Sequence, residues 1–238
     1  MTNKVTSVTL VTPVHNEGES IYSTIVEFFD CYKESDISVN FIISEDGSND
    51  NSVEQIQQLQ KIYPVQLISD PTRKGYSKAV IDGLKMVNTD VVSFIDSDGQ
   101  CDPKDLERLL TKFNGKNLVI GNRENRNDSL IRKMMSLAFK TVYEMLFNTK
   151  LKDPSCPYFV TSLENLNKIL NTPNLGILKQ GFWWEFYARA ISRDIKFVQL
   201  DINHRKRSAG NTVVYRPTKL PKIVIEHLIG LFQLKKLL

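Results

Sequence analysis

Five short runs of β-branched and aliphatic residues, at 8–12, 39–44, 65–69, 91–95 and 118–120, recur roughly every 25–30 residues. Between them lie segments with helical spacing, Ile21, Ile25, Phe28, Phe29 and Tyr32 in one, Val53, Ile56 and Leu59 in the next. Strands alternating with helices at that interval read as βαβ units. Because such crossovers are right-handed, they build an α/β fold: a mostly parallel, Rossmann-like sheet flanked by helices. Sites in such sheets gather at the carboxyl ends of the strands.

After about residue 121 the pattern changes to longer helical stretches, 129–147, 163–170 and 182–192, with one strand-like run at 195–200. No repeat, low-complexity tract or linker separates the halves. With 238 residues, 41% of them hydrophobic, one domain can bury a full core. The reading is one domain over 1–216, a donor-side half at 1–121 and a divergent half at 122–216, followed by a C-terminal amphipathic helix at 217–238. A net charge of +4 with scattered basic residues makes nucleic acid an unsuitable partner. Cys31, Cys101 and Cys156 lie far apart with no C-x-x-C pair, which predicts free thiols in a reducing cytoplasm. The N-terminus has no signal-peptide core, and no uncharged run approaches the roughly 20 residues of a membrane span.

Polar residues follow the runs: Pro13, His15, Asn16 and Glu17 after the first, Glu45 and Asp46 after the second, and Asp96, Asp98 and Gln100 in FIDSDGQCDP after the fourth. No G-x-G and no G-x-x-x-x-G-K occurs, so a bound nucleotide must be held by carboxylates and a metal. Side chains two apart on an extended chain share a face, so Asp96, Asp98 and Gln100 can converge. Two carboxylates and an amide oxygen are hard ligands that suit Mg²⁺ or Mn²⁺ and not zinc. The competing reading is an acidic turn before a helix with Asp102 as N-cap and Pro103 at its first position. The residues alone leave both open.

VTPVHNEGES, ISEDGSNDNS, RKGYSKAVIDGL through FIDSDGQCDP, GNRENRNDSLIRKMMS, KDPSCPY and HRKRSAGNT follow in this order over residues 7–216. Together they resemble the family 2 glycosyltransferases of GT-A fold, most closely the polyprenyl-phosphate sugar transferases of the dolichyl-phosphate mannose synthase type. The resemblance implies that Pro13, His15, Glu17, Asp46 and Gly75, with Asp96, bind a nucleotide diphosphate sugar. It implies that Asp96, Asp98 and Gln100 hold the divalent ion, and that Arg123, Arg132 and Arg207 surround the acceptor phosphate, Arg207 also reaching the donor diphosphate. Asp98 and Arg207 are the expected catalytic groups, joined by Asp153 and Glu185, which match the places of a family acid and of the base in hydroxyl-glycosylating relatives. In DPSCPYF, however, Pro157 and Phe159 replace the Gly and Arg of the family block. Glu185 can also pair with Arg189 at i+4.

A phosphate acceptor, with a second pKa of roughly 6, can attack without a dedicated base, whereas a hydroxyl needs one. The expected reaction is inverting transfer of a hexose to a polyprenyl phosphate. The rivals are transfer to a sugar or lipid hydroxyl, a sugar nucleotidyltransferase, and a non-catalytic binding module. The aromatic group at 182–187 reads as core, and His204 and His227 have no metal-spaced partners in the sequence. The last segment, KIVIEHLIGLFQLKKLL, carries a broad apolar arc with lysines at its margin. It suits the cytoplasmic membrane surface, docking on the domain, or a second subunit in a homo-oligomer.

Overall fold

The computed structural model describes residues 5–123, 130–178, 181–207 and 220–238, and the side chains of 130–136 and 220–224 lie outside the described set. β1 (Ser7–Val14) carries only small hydroxyl side chains among its apolar residues and is buried at seven of its eight residues, as a strand covered on both faces must be. It pairs in parallel with β2 (Ser38–Asp46), which pairs with β3 (Val65–Asp70), and on its other side with β4 (Val91–Phe94). α1 (Ile21–Tyr32), α2 (Ser52–Gln60) and α3 (Tyr76–Lys85) are the crossovers. α1 buries Ile21, Thr24, Ile25, Phe28 and Tyr32, the three-to-four spacing seen in the sequence. α4 (Pro103–Lys112) starts as expected, with the Asp102 carboxylate accepting from the Lys104 amide at 3.0 Å and Pro103 in the first turn.

The second half contains a strand that the sequence pattern does not reveal. β6 (Phe159–Ser162) enters antiparallel between β4 and β5 (Leu118–Arg123), and β7 (Phe197–Ile202) runs parallel to β5. Its four residues are too few for a period to emerge, and α6 (Leu163–Leu170) follows at once. The result is a mostly parallel seven-stranded sheet in the order β3-β2-β1-β4-β6-β5-β7. Insertion of β6 makes it mixed and, being antiparallel to both neighbours, leaves β4 and β5 parallel, so their carboxyl ends lie on the same edge of the sheet.

α7 (Phe182–Ser192) buries Phe182, Trp183, Phe186 and Tyr187, which makes its aromatic run core. α8 (Leu220–Leu237) packs on α5 (Leu130–Phe147). Leu231 and Leu234 are fully buried, and a Cβ at Gly230 would stand 2.3 Å from Leu178 Cδ2, so a larger residue there would push the helix away. Docking on the domain is therefore one of its roles. Ile225, Ile229 and Phe232 of this helix stay exposed, as do Leu137 and Met145 of α5. No helix among the described residues is long and apolar enough to cross a membrane.

Candidate active site

The loops after β1, β2, β3 and β4 are stitched to one another by short side chains. The Asn16 amide donates to Ser48 Oγ at 3.0 Å, the Glu17 amide to Ser52 Oγ at 2.9 Å and the Gly18 amide to the Asp50 carboxylate at 3.0 Å. His15 Nδ1 lies 2.9 Å from the Asp46 carbonyl, just beyond buried Pro13. Glu45 is buried and accepts from the Ser48 amide and from Ser69 Oγ, so its longer arm is used inside the fold.

Asp46, expected to touch the nucleotide, spends both carboxylate oxygens on backbone. They accept from the Lys74 amide at 2.6 Å and the Gly75 amide at 2.8 Å. Gly75 has φ of 93°, a region that L side chains avoid, and it starts α3 from that conformation. Asp46 thus shapes the turn that brings Gly75 and Tyr76 to the cleft; any contact with nucleotide has to be made in addition to these bonds.

Asp96 and Asp98 stand at the end of β4 in a recess that Gln100, Arg123 and His204 also line. Burial, and then the Asp98 carboxylate, push the Asp96 carboxyl up to about 7; burial raises Asp98 as well. A cation beside them would relieve the cost of ionising both carboxylates. The Gln100 amide nitrogen donates to the Arg205 carbonyl at 3.0 Å and lies 3.3 Å from His204 Nε2, which leaves the amide oxygen as the donor it offers. Among the described residues no three His, Cys, Asp or Glu side chains cluster tightly enough to hold a metal ion. The donor set is two carboxylates and one amide, all hard oxygens, and it fits Mg²⁺ or Mn²⁺.

The segment after β7 lies along this motif. Cys101 and His204 form an antiparallel bridge, the Arg205 amide donates to the Gln100 carbonyl at 3.0 Å, and the Arg205 guanidinium reaches Asp102 at 2.8 Å and Glu27 at 2.5 Å. Arg207 follows, ion-paired to Glu17 and 3.9 Å from the Asp98 carboxylate. One guanidinium thereby spans the β1 loop and the acid motif. The sequence suggests no partner for His204; strand pairing across 103 residues supplies one in Gln100.

Three expected site residues are engaged in contacts of their own. Arg123 and Asp153 face each other, Nε to Oδ2 at 2.7 Å and Nη2 to Oδ1 at 3.0 Å, and Ser155 Oγ takes a further N–H at 2.7 Å. The Nε and Nη2 side of Arg123 is engaged by this carboxylate and Ser155, and Asp153 serves as its holder. Glu185 is fully buried, accepts from the Gly176 and Leu178 amides at 2.8 Å each, and pairs with buried Arg189. That pairing, already allowed by the i+4 spacing, removes Glu185 from the role of solvent-exposed base. Arg132 belongs to α5, but its side chain lies outside the described residues. Tyr76, which the sequence did not single out, donates from its hydroxyl to Asp96 Oδ1 at 2.9 Å.

Residues 9–169 match the family model for glycosyl transferase family 2. Among curated relatives, an undecaprenyl-phosphate 4-deoxy-4-formamido-L-arabinose transferase of Proteus mirabilis is 28% identical over 64% of this chain and 48% of its own length. The corresponding transferase of Photorhabdus laumondii is 24% identical over 88% of this chain and 63% of its own. The chain thus spans about half to two thirds of the length of the relatives it matches. Among solved structures, glucosyl-3-phosphoglycerate synthase from Mycobacterium tuberculosis, crystallised with Mn²⁺, UDP-glucose and phosphoglyceric acid, superposes with a TM-score of 0.70 at 17% identity. That match covers 98% of this chain and 80% of the other. The same enzyme with Mg²⁺ and UDP gives a TM-score of 0.68. The fold is therefore of the GT-A type.

Proposed function

Because the chain belongs to glycosyl transferase family 2, we propose that it transfers a hexose from a nucleotide diphosphate sugar to a polyprenyl phosphate, with inversion at the anomeric carbon and a divalent ion as cofactor. The observation that carries this reading is the convergence of Asp96, Asp98, Gln100 and Arg207 at the carboxyl end of β4, facing the loop of His15 and Glu17. The names of the relatives supply the acceptor class.

Asp96, Asp98 and the Gln100 oxygen would hold the ion, which when bound neutralises charge on the departing diphosphate as a Lewis acid. Arg207 is held by Glu17 and Asp98 without a donor, and a bound diphosphate or acceptor phosphate offers it a better bidentate partner. Arg123, fixed by Asp153, places a permanent positive charge beside Asp96 in the same recess. A lipid phosphate is largely dianionic near pH 7 and attacks C1 unaided. Acceptors that are hydroxyls need a base, and Glu185, their candidate, is sequestered with Arg189. The exposed Ile225, Ile229 and Phe232 support peripheral contact with the membrane that contains such a lipid.

The test is to incubate the purified protein with a panel of nucleotide sugars, Mn²⁺ or Mg²⁺ and a polyprenyl phosphate, measuring nucleotide release and lipid glycosylation together. Nucleotide release coupled to lipid labelling is expected. Labelling of a glycan hydroxyl with none of the lipid phosphate refutes the acceptor assignment.

A further inference from the structure

Asp96 is not positioned by its own loop. Its Oδ1 accepts from the hydroxyl of Tyr76, the first residue of α3, at 2.9 Å, and that hydroxyl oxygen lies 2.9 Å from Trp183 Nε1 in α7. An indole N–H is only a donor, so the Tyr76 oxygen must accept from Trp183, and its single hydrogen is then committed to Asp96. The chain of donors has one direction, from α7 through α3 to the carboxylate.

Each member is held in turn. Trp183 is buried and meets Phe94, two residues before Asp96, edge to face at 4.4 Å between ring centroids. Ser77 Oγ donates to the Leu178 carbonyl at 3.1 Å, and the Leu178 amide donates to Glu185 at 2.8 Å, so the start of α3 is tied to the loop leading into α7. The Tyr76 backbone emerges from the Gly75 turn that Asp46 organises. Nothing in the sequence shows this: 107 residues separate Tyr76 from Trp183, and 20 separate Tyr76 from Asp96.

We propose that Tyr76 and Trp183 are positioning residues that fix the orientation of the Asp96 carboxylate for the divalent ion and the nucleotide diphosphate. The assignment rests on the metal-dependent transferase reading above. A carboxylate pinned through one oxygen keeps its other oxygen for a cation. Hydrogen-bond partners of metal ligands act in this way and, when removed, typically cost about 10–100-fold in metal affinity or activity. Trp183 adds a second effect, since a hydroxyl that already accepts a hydrogen bond donates a stronger one.

The experiment titrates Mn²⁺ into wild-type, Tyr76→Phe and Trp183→Phe proteins in the presence of saturating UDP, read by electron paramagnetic resonance of free Mn²⁺. UDP affinity without metal and melting temperature are recorded for each. Tyr76→Phe is expected to raise the apparent Mn²⁺ dissociation constant about tenfold or more with metal-free UDP affinity nearly unchanged, and to lower melting only modestly, because the ring remains and the one structural loss is the acceptor of Trp183 Nε1. Trp183→Phe should produce a smaller rise in the same constant, and should decide the matter if Tyr76→Phe does not fold. Unchanged Mn²⁺ affinity in the variant, with a wild type that binds, overturns this assignment alone. Equal losses of metal-free UDP binding, Mn²⁺ binding and melting temperature also overturn it, since they mark a purely structural role. A wild type that binds no Mn²⁺ in the presence of UDP overturns the metal-dependent reading and this assignment with it.

Discussion

Glu185→Gln separates a base from a structural anchor. In the wild type all five guanidinium N–H groups of Arg189 are used: two go to Glu185 Oε1, at 2.9 and 2.6 Å, and three to Thr172, Pro173 and Asn174. Both side chains are fully buried. Glutamine has the same shape but replaces one carboxylate oxygen with an NH₂ group. That group must face either the Arg189 and Gly176 donors at Oε1 or the Leu178 amide at Oε2, so one donor-to-donor contact is forced and a buried cation loses its counter-charge. Breaking a buried pair by removing one partner costs about 3–5 kcal/mol. For a domain of this length each kcal/mol shifts the melting temperature by about 2–4 °C, so a fall of about 6–20 °C is expected. Turnover should be assayed well below the new midpoint, with saturating donor and lipid acceptor. The expected result is a turnover number within a few-fold of wild type, because the substitution touches no reacting atom. A loss of a hundredfold or more with unchanged melting would refute this account and restore Glu185 as a general base, which typically contributes about 10²–10⁴-fold.

Asp98→Asn should abolish transfer at saturating Mn²⁺ with the melting curve retained; near-normal turnover would remove Asp98 from the metal set. Arg207→Lys keeps the charge but loses the fork now shared between Glu17 and Asp98. It should cost about tenfold to a hundredfold in rate, as one or more charged hydrogen bonds at roughly 1.5–3 kcal/mol would, and the defect should persist at high salt, where a merely solvated basic patch would show none. The raised Asp96 carboxyl, at about 7, binds its proton more tightly in the folded chain than in the unfolded one. Its contribution to metal-free stability is therefore greatest at low pH and is lost as pH rises from about 4 to 7; denaturant midpoints of wild type and Asp96→Asn across that range should diverge in this sense. Mn²⁺ must displace the same proton, so calorimetry at pH 6 in two buffers of different ionisation enthalpy should register proton release in the wild type and less in Asp96→Asn.

The first half of the fold is legible because its mostly aliphatic strands recur at a regular interval and each is separated from the next by a helical pattern and a polar loop. β1 to β4 are rich in β-branched and aliphatic residues, and each is followed by a helix whose buried residues keep a three-to-four spacing. β6 is not legible, because four residues followed at once by α6 leave no period to detect, and only its pairing with β4 and β5 identifies it as a strand. The same contrast holds at the site. Asp96, Asp98 and Gln100 announce themselves by local alternation, whereas the other partners of that motif come from 204–207, 76 and 183, far away in sequence. Glu185 pairs with Arg189 as its i+4 spacing allows, whereas the partners of Asp153 lie 30 residues upstream and in its own turn, where no local pattern shows them. Arg123 and Ser155 are the partners that the sequence does not reveal.

The insertion of β6 also explains why the acid motif depends on both halves of the chain. By standing between β4 and β5 it sets β7 and the strand-like segment beyond it at a distance from which His204 can bridge Cys101 and Arg207 can approach Asp98. From the other side α7 reaches Asp96 through Tyr76. The donor-side carboxylates are thus clamped between two elements of the second half, neither of which binds nucleotide through a glycine loop. In a P-loop or dinucleotide fold one strand, one loop and one helix carry the phosphate site locally. Here the acid motif is held by long-range contacts, so substitutions in α7 and at His204, remote from it in sequence, are expected to alter its geometry.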